Sequence, residues 1–189
     1  MYTTTISPTM CEKKRMRFDL EVKSLARDGT FSGYASVFDV LDNHNDIIKK
    51  GAFRSTLKKG TGRIKLLWQH KQDEPIGTFS RIFEDEMGLY VEGKLLLGLQ
   101  RGKEAYSMLK QGIVSGLSIG YSPLHYDVDQ QSGARILTDI ELWEVSLVTF
   151  PANEAAGVTV VKSMAEKPAT PTELIELQDA VDRAIRVLR

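Results

Sequence analysis

The segment VSGLSIGYS (residues 114–122) contains a match to G-x-S-x-G, the motif around the nucleophilic serine of α/β-hydrolases. In those enzymes the serine lies on a turn between a strand and a helix, and the acid and the histidine follow it along the chain. Here the residues after Ser118 continue as a strand towards Pro123, and no helix can start among them. The only downstream histidine, His125, lies in that same strand. The segment therefore predicts a β-hairpin and excludes the α/β-hydrolase fold.

The chain on both sides of this segment also reads mainly as strands. Alternating or short apolar stretches predict strands, and two amphipathic stretches that end at glycines predict short helices. This order lacks the regular strand–helix alternation of a doubly wound sheet, so we predict a mixed, β-rich α+β fold. The predicted strands cover residues 15–25, 30–41, 63–70, 76–85, 88–97, 121–129, 134–150 and 157–162, the predicted helices cover 51–59 and 102–112, and turns are predicted at Asp28-Gly29 and at Pro75.

Composition excludes several classes of protein. Lys plus Arg (25) balance Asp plus Glu (25) in the 189-residue chain, so no net charge attracts nucleic acid or an anionic membrane. Cys11 is the single cysteine, which excludes a disulfide framework and a cysteine-based zinc site. No apolar run approaches the roughly 18 residues of a membrane span. We therefore expect a soluble protein of a reducing cytoplasm, with no nucleic-acid partner, no membrane partner and no cofactor.

The chain divides into four parts by composition. Residues 1–14 are predicted to be a disordered N-terminus, 15–162 the folded domain, 163–171 a linker, and 172–189 a C-terminal amphipathic helix. The helix begins with an N-cap, an N1 proline and a capping-box glutamate. Its apolar seam fits packing on its own domain and packing on a partner helix equally well. The seam consists of Leu174, Leu177, Val181, Ala184 and Leu188.

Ser118 is a candidate nucleophile because small residues surround it. Gly112, Ser115, Gly116 and Gly120 are its close neighbours in the chain. Glycine lets a substrate backbone approach closely and leaves backbone N–H groups available for an oxyanion hole. The motif by itself leaves open the alternative that Ser118 is an ordinary strand serine between glycines.

A serine nucleophile needs a general base, and the chain has three histidines. His44 lies in a polar loop, and His125 alternates with apolar residues in a hairpin arm, where we expect it to be exposed. His70 ends the apolar strand KLLWQH and is followed by a polar stretch, and sites are commonly built where a rigid strand opens into a loop. His70 is therefore the candidate base, with a partly buried structural histidine as the alternative.

The base in turn needs an orienting carboxylate, and the segment DIELWEVSLVTF (139–150) offers three. Glu144 lies within the apolar part of this strand, where a carboxylate is costly to bury unless a partner stabilises it. Glu141 lies nearer the polar end, where we expect it to be solvated. Asp139 starts the segment. Glu144 is the candidate acid, and Glu141 stays open as the alternative.

Four blocks together resemble a known family, the prohead (capsid maturation) serine proteases of tailed bacteriophages. They are DIIKKGAF (46–53), LLWQH (66–70), GLSIGY (116–121) and LWEVSLVTFPAN (142–153), and the resemblance spans residues 15–162. Several motifs in the right order make it specific. The resemblance implies the fold of herpesvirus assemblins, a mostly antiparallel, barrel-like β-structure surrounded by a few helices.

The resemblance also implies a mechanism and a biological setting. The family's histidine, serine and acid fall on His70, Ser118 and Glu144, which implies acyl-enzyme catalysis by a serine endopeptidase. The implied substrates are the scaffolding region of the major capsid protein and the protease itself. The implied location is inside the immature capsid in the host cytoplasm. Self-association, as a dimer or through the C-terminal helix, and self-cleavage within residues 163–171 are further hypotheses.

Two other functions and two other sites stay open. A non-enzymatic capsid assembly or scaffold protein would use the same fold with an incidental serine, and a small-molecule esterase would need a deep apolar pocket.

Asp42, His44 and Asp46 have a spacing that could suit a cation in a loop, although a polar turn explains them and we predict no metal. Asn153 could contribute to an oxyanion hole, with a turn or cap after Pro151 as the simpler interpretation.

Overall fold

The computed structural model describes residues 28–160, and the structural statements below concern that part of the chain. It contains eight strands, two α-helices and a short 3₁₀ helix at Thr61–Arg63. The strands and α-helices are, in chain order, β1 (Thr30–Val37), β2 (Asp46–Ile48), α1 (Arg54–Lys58), β3 (Lys65–Trp68), β4 (Lys71–Glu84), β5 (Gly88–Leu95), α2 (Gln100–Lys110), β6 (Gly116–Val128), β7 (Arg135–Val148) and β8 (Gly157–Val160).

The sheet closes into a barrel. Its strands follow the order β7-β3-β4-β5-β1-β8-β6, and the pairing of β6 with β7 closes the ring. β2 lies outside this ring and pairs with residues 135–137 of β7. Among the described strands, only β2 and β3 run parallel to their neighbour β7, and all other pairings are antiparallel. Closure leaves few unpaired strand edges. The prediction of a β-rich, mostly antiparallel, barrel-like fold with few helices is confirmed.

The hydrophobic core determines which side chains of β6 and β7 are available for chemistry. Leu117, Val145 and Leu147 are 0% exposed and belong to the core. Successive side chains of a strand point to opposite faces, so Ser118 and Ser146, which neighbour them, lie on the other face of the sheet. The side chains of Ser118 and Ser146 therefore point away from the core, to the outer side of the barrel wall.

A β-bulge at Trp143 changes the side-chain alternation of β7. Residues 120–121 of β6 pair with Glu144 and Leu142, which leaves Trp143 as an extra residue. Leu142 and Val145 both belong to the core although they are three positions apart. Bulges redirect side chains in this way, often beside active sites. The bulge places Glu144 on the same face as Ser146, whereas unbroken alternation from Leu142 would point it into the core.

Helix α1 completes an edge of β7. On that edge β2 pairs with residues 135–137 and β3 with residues 144–147. Between them the Thr56 hydroxyl accepts a hydrogen bond from the Leu142 N–H (3.0 Å) and donates one to the Ile140 carbonyl (2.8 Å). The buried backbone groups are thereby paired without a strand. The predicted helix at 51–59 is thus confirmed in a shorter form.

Three details of the predicted elements were wrong. β4 begins at Lys71 and runs through Pro75, because the register shifts between Leu66 and Leu67 and the proline, which lacks an N–H, lies at this irregularity. β3 ends at Trp68 and not at His70, because residues 69–70 have positive φ and form a tight turn into β4. The three-residue strand β2 was not predicted, since it is too short to show alternation.

Some predictions lie outside the described residues. They are the disordered N-terminus (1–14), the strand at 15–25, the linker (163–171) and the C-terminal helix (172–189). Within residues 28–160, neither helix has the length and hydropathy that a membrane span requires.

Candidate active site

The structure brings His70 and Glu144 together, two residues that are 74 positions apart in the chain. His70 lies in the turn between β3 and β4, and its Nδ1 is 2.6 Å from Oε1 of Glu144. The Glu144 side chain is 11% exposed, whereas that of His70 is 44% exposed. The imidazole therefore offsets the cost of burying the carboxylate and keeps its own outer edge accessible. A charge-assisted contact of this length fixes the orientation of the ring.

Ser146 connects the same two residues through a second path. Its hydroxyl donates a hydrogen bond to Oε2 of Glu144 (2.7 Å) and accepts one from the backbone N–H of His70 (3.0 Å). The side chain is buried, at 0% exposure. Each oxygen of the carboxylate thus has its own partner, and Glu144 is held at both.

The turn that carries His70 has a constrained backbone. Gln69 and His70 have φ values of 51° and 59°, in the left-handed region that non-glycine residues seldom adopt. The Gln69 N–H donates to the Leu147 carbonyl (3.0 Å). The Gln69 amide also donates to Oγ1 of Thr149 (2.9 Å) and accepts from the Thr149 N–H (3.3 Å). These bonds to the end of β7 fix the unusual turn, and with it the position of His70.

Ser118 lies directly across from Ser146 in the pairing of β6 with β7. Side chains opposite each other in an antiparallel pair have Cβ atoms about 4.5–5.5 Å apart. Ser118 is 4% exposed. The register therefore places the predicted nucleophile beside the cluster of Ser146, Glu144 and His70.

Two glycines of β6 make room for neighbouring side chains. A Cβ at Gly120 would lie 2.4 Å from Oε1 of Glu144, and a Cβ at Gly116 would lie 2.8 Å from Cδ of Pro151. From the sequence, we expected these glycines to let a substrate backbone approach closely. In the structure, Gly120 accommodates the carboxylate that binds His70.

A small cavity adjoins Ser118, and the buried Asp46 that lines it forms an ion pair with Arg135, whose side chain is 40% exposed. Asp46, whose side chain is 1% exposed, accepts hydrogen bonds from Nε and Nη2 of Arg135 (both 2.6 Å) and from the Tyr121 hydroxyl (2.5 Å). Burial by itself would raise the pKa of Asp46, but the bonds from Arg135 and Tyr121 outweigh it and lower the pKa below its usual value. Burial, followed by the bond to Asp46, raises the pKa of Tyr121.

We expect Asp46→Ala to lower the free energy of unfolding by about 2–3 kcal/mol at neutral pH, because Arg135 and Tyr121 lose their shared acceptor. A carboxyl whose pKa is lower in the folded chain stabilises it above the unfolded-state pKa, and the contribution disappears as the pH falls through the folded-state pKa. The difference between parent and variant should therefore shrink below about pH 4. Urea unfolding at several pH values measures it.

The control for this prediction is Asp127→Ala, which removes an exposed carboxylate of β6. We expect it to change the unfolding free energy by less than about 0.5 kcal/mol at either pH. A loss in Asp46→Ala that is as large at pH 3 as at pH 7 would contradict a role for the ionised carboxylate.

The other residues singled out from the sequence have different partners. His44 is exposed, and His125, as expected, is exposed as well, with Nδ1 3.5 Å from Asp139. Oε1 of Glu141 is 3.2 Å from Nζ of Lys59. Glu144, and not Glu141, is therefore the carboxylate that contacts His70.

Asn153 and Asp42 form hydrogen bonds with backbone groups. Asn153 donates to the Val37 carbonyl (2.9 Å) and accepts from the Ala155 N–H (3.1 Å), as expected for a turn residue. Asp42 accepts from the N–H groups of His44 (2.8 Å) and Asp46 (2.9 Å). In the described part of the chain, no group of three His, Cys, Asp or Glu side chains is arranged to hold a metal ion.

The sequence interpretation missed Ser146 and Gln69, and it gave Gly120 a different role from the contact with Glu144 that the structure shows. A signal for Ser146 was present, because a serine two positions after a strand glutamate shares its face unless the strand bends. Gly120 and Gln69 carried no such signal, because their importance depends on contacts with residues distant in the chain.

The arrangement is suited to proton transfer. A histidine with one ring nitrogen bound by a buried carboxylate presents its other nitrogen as a base, and a serine lies across the neighbouring strand. Acyl transfer requires a nucleophile, a base and an orienting acid, which are the roles that the sequence predicts for Ser118, His70 and Glu144.

The chain is similar to several known proteins. The family described as caudovirus prohead serine protease matches residues 18–170. The prohead protease of Enterobacteria phage HK97 is 38% identical over 156 residues, which cover 80% of this chain and 69% of that protein. A capsid polyprotein of Pseudomonas phage PAJU2 is 39% identical over 108 residues, 53% of this chain and 16% of the polyprotein. A solved structure of KSHV protease with a hexapeptide phosphonate inhibitor is similar at 14% identity and a TM-score of 0.45, covering 82% of this chain and 76% of that one.

Proposed function

The chain belongs to the caudovirus prohead serine protease family, and on that basis we propose that it is the serine endopeptidase that cleaves capsid assembly precursors during prohead maturation. The observation that carries the proposal is the 2.6 Å contact between Nδ1 of His70 and the buried Glu144 carboxylate. The position of Ser118 opposite Ser146 supports its assignment as the nucleophile.

In the proposed reaction Nε2 of His70 accepts the proton of the Ser118 hydroxyl as Oγ attacks the carbonyl carbon of the scissile peptide bond. Glu144 keeps the second ring proton on Nδ1 and stabilises the imidazolium that forms. His70 then gives its proton to the leaving amine, and the C–N bond breaks to leave an acyl-enzyme. Water, deprotonated by His70, hydrolyses the ester and returns Ser118 to its starting state.

The proposed substrates are the scaffolding region of the major capsid protein and the protease itself. A relative named capsid polyprotein contains a segment that matches this chain, which supports a close link between the protease and capsid precursors. The proposed location is the interior of the immature capsid in the host cytoplasm. Self-association, through the domain or through residues 172–189, and self-cleavage within residues 163–171 belong to the same proposal.

A non-enzymatic assembly protein of the same fold is the alternative. It would have no need for a histidine held in a left-handed turn or for a buried carboxylate aligned on it. The geometry therefore favours catalysis over a purely structural role.

A fluorophosphonate probe tests the nucleophile. The Ser118 oxygen would bond to phosphorus, fluoride would leave, and His70 would accept the hydroxyl proton. We expect one adduct on the intact chain, located on Ser118 by peptide mapping, and no adduct on Ser118→Ala. Ser115→Ala, which removes an exposed serine three positions earlier, should be labelled like the parent. Equal labelling of the parent and Ser118→Ala would refute the assignment.

A further inference from the structure

We propose that Ser146 is a positioning residue of this site, acting on the reaction through His70 and Glu144. The inference rests on the proposed function. It assigns to a residue outside the predicted triad the task of keeping the base and its carboxylate in register with each other.

The hydrogen-bonding capacity of Ser146 matches this task. A serine hydroxyl has one hydrogen to donate and two lone pairs that accept. The hydrogen goes to Oε2 of Glu144, 2.7 Å away, and one lone pair receives the backbone N–H of His70 at 3.0 Å. Oε1 of Glu144 is left to the imidazole, 2.6 Å from Nδ1. One hydroxyl therefore fixes both the rotation of the carboxylate and the backbone of the histidine it serves.

Burial makes this hydroxyl difficult to replace. Ser146 is 0% exposed, so solvent does not reach the position to take over either bond. A buried hydroxyl costs free energy unless it is hydrogen-bonded, and the bonds of this one go to His70 and Glu144. An apolar side chain at 146 would satisfy the strand but leave the His70 N–H and Oε2 without this partner.

The backbone of His70 shows why such a bond is needed. Its φ of 59° lies in a region that costs free energy for a non-glycine residue and persists only where contacts enforce it. The bond from the His70 N–H to Ser146 acts on this residue itself, whereas the contacts of Gln69 with Leu147 and Thr149 act on the residue before it.

The test compares Ser146→Ala with Ser146→Thr and a control, using the rate of fluorophosphonate labelling at Ser118. Ser146→Ala should lower the maximal labelling rate by about tenfold to a hundredfold, as expected when a base is slightly misplaced, with little change in the probe concentration for half-maximal rate. Ser146→Thr retains the hydroxyl and should recover part of the rate. Ser122→Ala removes a hydroxyl of β6 that accepts from the Trp143 indole and should label like the parent.

A second readout does not depend on catalysis. The proton between Nδ1 of His70 and Glu144 should give a far-downfield NMR signal in the parent chain and in Ser122→Ala. In Ser146→Ala we expect that signal to shift upfield or to be lost through exchange, with partial return in Ser146→Thr. If the parent chain is not labelled at Ser118, the proposed function is refuted. The NMR signal would still decide the role of Ser146, because it does not depend on catalysis. An unchanged signal and an unchanged rate in a folded Ser146→Ala would overturn the inference, as would a fall in thermal stability alone.

Discussion

Intact mass spectrometry of the incubated chain is expected to show shortened products for the parent and only the full-length mass for Ser118→Ala and His70→Ala. Removing either the nucleophile or its base from such a site lowers the rate by about 10⁴-fold or more, because the groups act as a unit. His70 belongs to the cluster with Glu144 and Ser146, and Ser118 lies beside that cluster, opposite Ser146 in the pairing of β6 with β7. N-terminal sequencing of the products would give the cleavage positions, and we expect one within residues 163–171.

Two matched controls accompany this prediction. Ser115→Ala and His125→Ala remove an exposed serine and an exposed histidine from the neighbourhood of Ser118 in the chain, and both should be trimmed like the parent. Glu144→Gln, which leaves His70 without its anionic partner, should be trimmed more slowly than the parent. Trimming of Ser118→Ala at the parental rate would show that another protease produces the fragments.

Much of this site could be predicted because its members lie in strongly patterned strands. The apolar run before His70 and the apolar run around Glu144 both indicate buried strands, and a buried carboxylate demands a partner. That reasoning selected Glu144 over Glu141, and the structure pairs Glu144 with His70 and Glu141 with Lys59. The rejection of an α/β-hydrolase likewise depended on a local feature, the strand that continues after Ser118.

The missed features are those that depend on contacts between distant segments. Pro75 indicated a turn by its own chemistry, but a register shift against β3 lets β4 pass through it. The left-handed turn at Gln69 and His70 contains no glycine that would indicate it in the sequence. It is stabilised by hydrogen bonds to the end of β7, such as that from Gln69 to Thr149. The bulge at Trp143 did leave a trace in the sequence, since the apolar Leu142 and Val145 are three positions apart and both belong to the core.

Gly120→Ala is expected to lower labelling and self-cleavage by about a hundredfold or more, although it adds a single methyl group to a strand. The added Cβ would lie 2.4 Å from Oε1 of Glu144 and 3.0 Å from its Cδ and Cγ. Oε1 is the atom that contacts Nδ1 of His70, and the side chain is too buried to move aside freely. The carboxylate must therefore rotate away, and the imidazole loses its orienting partner. Gly62→Ala, whose added Cβ would meet nothing within 4 Å, is the matched control and should behave like the parent.

A double-mutant cycle separates this mechanism from a general loss of strand stability. Glu144→Ala removes Oε1, Cδ and Cγ, the atoms that the new methyl group at position 120 would meet. In that background, Gly120→Ala should therefore cause little further loss of unfolding free energy or of labelling rate. In the parent background the same change should cost about 1–3 kcal/mol of stability in addition to the activity, as overpacking of a closed site does. The two substitutions should therefore be strongly non-additive, because they act on one contact. Additive losses would mean that glycine at 120 serves the β6 backbone itself, and the room it gives to Glu144 would then be incidental to catalysis.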